Sequence, residues 1–258
     1  MDSQLGHHPS GGVSAHGHSE PHLLDGLDPA LVARADQREA REAWLEIVAN
    51  GRLNWTIVAA PNEGWAREVF GEPDVERLWQ AVATTTRLDE PDPVAAWQDH
   101  VGTLERRAAS LTRRHFDAVR FRGPGTDLTI GLLPGSRWLA ATFTSEAGIT
   151  HIPNMPTEEV FTSPDWRRAE GTVRSTYPLI ETGTSALVLG LEVRFAAGRI
   201  VDVQAEQGAE IIRDQLAADE QAPFLGEVAL VDGSSRVRQT GIVFHDTLFD
   251  ENATCHIA

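Results

Sequence analysis

The stretch Ala118-Val-Arg-Phe-Arg-Gly-Pro-Gly-Thr-Asp-Leu-Thr-Ile-Gly-Leu132 sets the character of the second half of the chain. Apolar and polar residues alternate on each side of Gly123-Pro124-Gly125, which is the period of a strand with one buried face. Two such runs joined by a short glycine-rich turn predict an antiparallel β-hairpin. We therefore expect the region after Asp117 to be built on an antiparallel sheet.

Further short apolar runs, separated by glycine and proline, continue this pattern towards Ala258. They predict a helix at 206–216 and strands at 138–142, 171–175, 186–195, 200–205, 227–231 and 242–244. Asn252 is expected to cap the start of a final helix. The region 117–258 is thus predicted to be α+β, with a mixed, mainly antiparallel sheet that carries the catalytic groups.

The first half of the chain is richer in helical patterns. Asp28-Pro29 opens one that runs to about Val48, and others are predicted at 62–70, 74–84 and 93–114. Trp55 to Ala60 is a short apolar run typical of a buried strand. We interpret 23–116 as the helix-rich remnant of an N-terminal α/β domain. Its single strand requires partners, which are either missing or supplied by the sheet of the second half.

Residues 1–22 are rich in His, Ser, Gly and Pro and have no apolar period. This composition predicts a disordered tail. Its five histidines could bind metal adventitiously, but a tract without supporting groups around it rarely forms a catalytic site.

The charge of the chain excludes one class of function. Its 22 basic and 38 acidic residues give a formal net charge of −16, whereas a nucleic-acid-binding protein needs a basic face. All 22 basic residues are arginine, so a Schiff-base lysine and the lysine of a P-loop are excluded as well. We expect no nucleic-acid partner.

The compartment is predicted from what the sequence lacks. It has no apolar run of 18 residues, no secretory signal and a single cysteine, Cys255, which cannot form an internal disulfide. These features indicate a cytoplasmic protein without a membrane partner.

Carboxylates and a histidine remain as candidates for chemistry, since the sequence contains no GxSxG, HExxH, CxxC, P-loop or GxGxxG pattern. Glu158 and Glu159 would point to opposite faces if extended, so one could face a site and the other a neighbour. Glu227 begins an apolar run and His256 lies close to the last residue. Glu and His are ligands of hydrolytic metal sites. Taken alone, each residue is more often a solvated or structural group.

Five segments in order resemble the aminopeptidase T (thermophilic metalloaminopeptidase) family. The similarity runs from about Pro29 to the end of the chain, and the five motifs together are highly specific although no single one is. They are Arg120-Phe-Arg-Gly-Pro-Gly-Thr-Asp-Leu-Thr129, Leu133-Pro-Gly-Ser-Arg-Trp138, Asn154-Met-Pro-Thr-Glu-Glu-Val-Phe-Thr-Ser-Pro-Asp165, Phe224-Leu-Gly-Glu-Val-Ala-Leu-Val231 and Thr247-Leu-Phe-Asp-Glu-Asn-Ala-Thr-Cys-His-Ile-Ala258.

The resemblance implies a metal-dependent aminopeptidase that removes N-terminal residues from peptides. It places the metal ligands on Glu159, Glu227 and His256, with Glu158 the less favoured of its pair. It implies two divalent ions (zinc, cobalt, magnesium or manganese), peptide substrates with a free N-terminus and a homodimer.

The chain also departs from the family pattern. The resemblance implies a further histidine, an aspartate and a catalytic tyrosine beyond Ala258, and part of the first domain before the region of similarity. The chain is therefore expected to be truncated at both ends and to turn over poorly alone, and residues 1–22 are expected to lie outside the resemblance. Two alternatives stay open: a catalytically dead peptide-binding or interaction module, and a mononuclear hydrolase acting on another amide.

Overall fold

The computed structural model describes residues 11–18, 23, 27, 38–180 and 187–258. The helices in these ranges are α1 Arg38–Ala49, α2 Glu63–Phe70, α3 Val75–Thr85, α4 Pro93–Arg114, α5 Ala209–Leu216, α6 Arg236–Thr240 and α7 Thr247–Glu251. The strands are β1 Gly11–His16, β2 Asn54–Ala59, β3 Ala118–Gly123, β4 Thr126–Leu132, β5 Phe143–Thr144, β6 Thr150–His151, β7 Glu159–Thr162, β8 Pro164–Arg174, β9 Leu179–Ile180, β10 Leu187–Val188, β11 Glu192–Ala196, β12 Arg199–Gln204, β13 Val228–Val231 and β14 His256–Ile257. The predicted α+β class is confirmed.

The predicted hairpin lies at one edge of a five-stranded sheet with the order β12-β11-β8-β4-β3. Its strands β3 and β4 pair antiparallel, with Ala118 opposite Gly131 and Gly123 opposite Thr126. Gly125 has a φ of +72°, which a residue without a Cβ adopts at no steric cost. The alternation of side chains buries Leu128, Ile130 and Leu132 in the main core.

A second, three-stranded sheet has the order β14-β13-β7 and pairs antiparallel throughout. One of its faces packs in the main core, where Val160 of β7 and Val228 of β13 are buried together with Leu104 and Ala108 of α4. This sheet positions the candidate site on its other face.

The helices of the first half begin where the sequence places capping residues. The side chains of Asn62, Asp74 and Asp92 each accept a hydrogen bond from a backbone N–H in the first turn of α2, α3 and α4. The predicted helix 28–48 is seen as α1 from Arg38, and its residues 28–37 lie outside the described residues.

The strand of the first half has two neighbours. β1 pairs parallel with β2 along its whole length, with Gly11 opposite Asn54 and His16 opposite Ala59. Ile57 of β2 also exchanges backbone hydrogen bonds with Pro153 and Met155 of the second half. The expectation of disorder in the tail 1–22 is therefore wrong for Gly11–His16, because a parallel ladder needs only backbone groups and no apolar period.

Three local predictions in the second half are wrong. Residues 138–142 form no strand beyond a single bridge between Leu139 and Phe161, and 242–244 are irregular. Asn252 follows the end of α7 instead of starting a helix, and His256 lies on β14. The side-chain oxygen of Asn252 accepts a hydrogen bond from the backbone N–H of Glu158 and so is not available to cap a following turn.

Two apolar clusters hold the described residues together, and both cross the predicted boundary at 116/117. The main core joins α4 to the sheets of the second half. The smaller core packs Trp65 and Leu78 of the first half against Val237, Phe244 and Phe249. The division into domains at this point stays a prediction.

Candidate metal centre

The register of the three-stranded sheet places three chemically active residues on one face. Glu159 on β7 lies opposite Val231 of β13, and His256 on β14 lies opposite Ala229 of β13. Residues two apart on a strand share a face, so Glu227, Ala229 and Val231 point the same way as their partners. Glu159, Glu227 and His256 therefore converge over the central strand.

The side chains of the three residues meet over the central strand, where the residue opposite His256 is the small Ala229. His256 Nε2 lies 2.9 Å from Glu159 Oε2 and 3.5 Å from Glu227 Oε1. One potential ligand atom from each residue lies within 4.8 Å of the other two. The methyl group of Ala229, the β13 residue beneath them, leaves room for contact across the central strand.

The site is closed on one side and open on the other. The side chains of Glu159 and His256 are 8% and 14% exposed, whereas that of Glu227 is 34% exposed. Solvent or a small molecule therefore reaches the cluster from the side of Glu227.

The second ring nitrogen of His256 orients the imidazole. Nδ1 lies 3.2 Å from the carbonyl oxygen of Thr254. With a proton on Nδ1, the ring donates to this carbonyl and its Nε2 points towards the two carboxylates. Metal-binding histidines in proteins are held by the same kind of contact.

The local charge favours a cation. Burial opposes protonation of His256, but the adjacent carboxylates of Glu159 and Glu227 outweigh it and raise the pKa of His256 to about 11. Burial also raises the pKa of Glu251 to about 7, against the opposing effect of His256, and Glu159 and Glu227 raise it further. The imidazolium thus supplies the positive charge that the carboxylates require.

The residues of the cluster fit a divalent ion. Glu159 Oε2 is buried and makes no hydrogen bond of good geometry, although it lies near His256 Nε2. A buried carboxylate oxygen without a donor is costly, and a coordinated cation would satisfy it. Two carboxylates and one imidazole match the ligand set of a hydrolytic site that keeps a position open for water. Within the described ranges, this is the one group of three or more such ligands.

Glu158 faces away from the cluster and has its own partners. Its Oε1 lies 2.7 Å from Arg87 Nη2, and both side chains are almost fully buried. Its Oε2 lies 3.7 Å from Nε2 of His100, which also contacts the carbonyl oxygen of Thr157 at 2.8 Å. Burial raises the pKa of Glu158 against the lowering effect of Arg87. Glu158 therefore forms an ion pair, in agreement with the expectation that Glu158 and Glu159 point to opposite faces.

Sequence reasoning missed four residues around the site. Arg87 and His100 lie in helical patterns of the first half, and nothing local links them to Glu158. Asn252 and Glu251 are part of the motif that contains His256, so their position before that histidine was the available signal.

A large cavity lies away from the cluster. It has a volume of about 720 Å³ and an apolar lining that includes Val58, Trp79, Val94 and Met155. None of the three candidate ligands lines it. Two carboxylates and an imidazole lie close together in the cluster, whereas no described residue that lines the cavity carries a carboxylate.

An α+β fold that presents two glutamates and a histidine on one sheet face defines a candidate metal-hydrolase site. The sequence profile of the thermophilic metalloprotease family M29 matches residues 3–258, and the chain belongs to that family. The match also covers most of residues 1–22, so the expectation that this segment lies outside the resemblance is wrong.

Individual relatives agree with this assignment. The chain is 47% identical over 246 residues to aminopeptidase T of Thermus thermophilus and 40% identical over 247 residues to aminopeptidase PepS of Streptococcus thermophilus. Both alignments cover 93% of this chain, and the chain spans 60% and 59% of the length of the two relatives. The solved structure of wild-type AmpT from Thermus thermophilus superposes with a TM-score of 0.87 at 43% identity, over 97% of this chain and 62% of that one. None of the described helices is long and apolar enough to cross a membrane.

Proposed function

We propose that this chain is part of a metal-dependent aminopeptidase, which removes N-terminal residues from peptides by two-metal hydrolysis. The observation that carries the proposal is the convergence of Glu159 on β7, His256 on β14 and Glu227, the residue before β13, onto one sheet face. The aminopeptidases among its relatives support the reaction class. The activity itself is a proposal, since the chain spans about three fifths of the length of those relatives.

The three residues would act as the protein ligands. When bound, divalent ions would polarise the scissile carbonyl and lower the pKa of a bound water molecule. The carboxylates of Glu159 and Glu227 would balance the positive charge, and His256 would contribute a neutral nitrogen through Nε2. Three protein ligands satisfy one ion with a position left for water, so a second ion requires ligands from outside this cluster.

The oxygen and nitrogen donors suit zinc, cobalt or manganese and, less well, magnesium, which prefers oxygen ligands. The open side at Glu227 would admit the end of a peptide, and the net charge of −16 on the chain would favour the approach of a free ammonium group. A homodimer, which the family resemblance implies, belongs to the same proposal. The molecular mass of the protein in solution tests whether it is a dimer.

The test of the proposed function is release of nitroaniline from leucyl p-nitroanilide by the purified chain. Cobalt or zinc is added, and the same reaction with chelator is the control. We expect metal-dependent turnover that fails on N-acetyl-leucyl p-nitroanilide, because an aminopeptidase requires a free amine. The variant Glu159→Gln is expected to be inactive.

Other outcomes would replace the proposal. Equal cleavage of the acetylated substrate would indicate a hydrolase that acts on other amides. Metal and peptide binding without any turnover, both in the chain alone and with the C-terminal region of a relative fused to it, would indicate a non-catalytic peptide-binding module. Turnover that survives both chelator and Glu159→Gln would contradict the metal site itself.

A further inference from the structure

Asn252 is a fully buried polar residue that joins two distant parts of the chain. Its Oδ1 accepts a hydrogen bond of 2.6 Å from the backbone N–H of Glu158. Its Nδ2 donates a hydrogen bond of 2.8 Å to the carbonyl oxygen of Leu248. The residue is 0% exposed, so both bonds are shielded from water. One side-chain amide thus connects the segment before β7 to the last turn of α7.

Asn252 accepts a hydrogen bond from a backbone N–H that the sheet leaves unpaired. The ladder between β7 and β13 begins with Glu159 opposite Val231, so the N–H of Glu158 lies just outside it. A buried N–H without an acceptor is costly, and Asn252 provides that acceptor. The bond therefore fixes the backbone immediately before Glu159.

Asn252 is also fixed to the segment that carries His256. Its backbone carbonyl accepts a hydrogen bond of 2.6 Å from Ser235 Oγ. The next residue, Ala253, is fully buried, and His256 follows three residues later on β14. Only Ala253, Thr254 and Cys255 separate Asn252 from His256, so the position of Asn252 constrains that of His256.

We propose that Asn252 is a positioning residue that sets the separation of Glu159 and His256 for metal binding. The inference rests on the proposed function, because it assumes that these residues are ligands. A residue that only ended α7 would need the contact with Leu248 alone. The bond to Glu158, 94 residues away in sequence, has no role in ending a helix.

Two substitutions separate the two bonds. Asn252→Asp keeps an oxygen that can accept from Glu158 but loses the donor to Leu248. Asn252→Ala loses both bonds. The matched control is Thr85→Val, which removes one buried side-chain hydrogen bond, to the carbonyl oxygen of Val82, within α3 and outside the three-stranded sheet.

The first measurement is the cobalt affinity and the visible absorption spectrum of bound cobalt, at a temperature where all variants are folded. We expect Asn252→Ala to weaken cobalt binding by about tenfold or more, as changes around metal ligands commonly do, and to alter the spectrum. Asn252→Asp should fall between Asn252→Ala and the unmodified chain. Thr85→Val should keep the affinity and spectrum of the unmodified chain.

The second measurement is the NMR signals of the His256 ring in the metal-free protein at one fixed pH, assigned with His256→Gln. We expect Asn252→Ala to shift them and Thr85→Val to leave them in place. Unchanged cobalt affinity and spectrum in Asn252→Ala would overturn the positioning role. A chain whose cobalt binding is unaffected by Glu159→Gln would contradict the proposed function instead, and the ring signals would then decide the role of Asn252 alone.

Discussion

Glu158 and Glu159 are adjacent in sequence but belong to different environments. Glu159 points towards His256 on the open face of the three-stranded sheet, and its Oε2 lies 2.9 Å from the ring. Glu158 points the other way and lies 2.7 Å from Arg87, in a buried ion pair between the two halves of the chain. Extended backbone sends neighbouring side chains to opposite faces, so one short segment serves both the site and the core.

This division predicts that substitution by glutamine lowers stability at Glu158 and removes cobalt binding at Glu159. Glu158→Gln removes the carboxylate that forms the salt bridge with buried Arg87 and should cost about 3–5 kcal/mol of unfolding free energy. Glu159→Gln should abolish cobalt binding and cost much less stability in the metal-free protein. Urea unfolding and a cobalt titration of both variants check this, and a Glu158→Gln protein as stable as the unmodified chain would contradict it.

A double variant is the control for the ion pair. Replacement of Arg87 and Glu158 together by methionine removes both buried charges. We expect it to recover most of the stability that Glu158→Gln loses, because apolar residues of similar volume often replace buried ion pairs without cost. If the double variant is less stable than Glu158→Gln, the uncompensated charge is not the cause of the loss.

The small size of residue 229 is predicted to be essential for metal binding. Ala229→Val adds two methyl groups beneath the gap between His256 and Glu159, and it should weaken cobalt binding by about tenfold or more. Overpacking should also cost about 1–3 kcal/mol of stability. The control is Ala169→Val, the same change at a buried position of β8 in the five-stranded sheet. It should cost similar stability and leave cobalt affinity intact, and equal affinity in both variants would show that the size of residue 229 is irrelevant.

His100 should make the stability of the protein depend on pH. Burial and the charge of Arg87 lower the pKa of His100 to about 4, whereas an unfolded histidine titrates near 6.5. The unfolded state therefore binds more protons between these values, so stability rises with pH across this window. On passing from pH 7 to pH 4, His100 should lower the unfolding free energy by up to about 3 kcal/mol.

The measurement is urea unfolding from pH 4 to pH 7, for the unmodified chain and His100→Gln. The side-chain amide of glutamine can still donate a hydrogen bond to the carbonyl oxygen of Thr157, so the variant loses the titrating group and keeps a donor. Burial raises the pKa of Asp250 and of Glu251 to about 7, and these two carboxyl groups have the opposite slope. They are present in both proteins and cancel in the difference. Parallel curves for the two proteins would contradict the prediction.

Local patterns predicted much of the fold. The alternation around Gly123-Pro124-Gly125 predicted the β3–β4 hairpin, and the helices predicted at 62–70, 74–84 and 93–114 are present as α2, α3 and α4, because the periodicity of strands and helices depends on neighbouring residues. The opposite directions of Glu158 and Glu159 followed from the same local geometry.

The predictions that failed depend on distant partners. His256 was placed on a helix, but pairing with β13 holds it in a strand. The glycine-rich start of the chain shows no strand period, and Gly11–His16 become a strand only because β2 provides hydrogen bonds. Arg87 and His100 reach Glu158 through tertiary packing, which sequence spacing does not encode.

The central claim is that Glu159, Glu227 and His256 together bind a divalent ion. The most direct test is the thermal unfolding midpoint as cobalt is added, because an ion bound only by the folded state stabilises it by about 2.7 kcal/mol at one hundred times its dissociation constant. We expect a saturable rise in the midpoint that each of Glu159→Gln, Glu227→Gln and His256→Gln removes. The histidines of residues 1–22 are unchanged in these variants and so control for adventitious binding. An equal rise in a triple variant that lacks all three side chains would contradict the account.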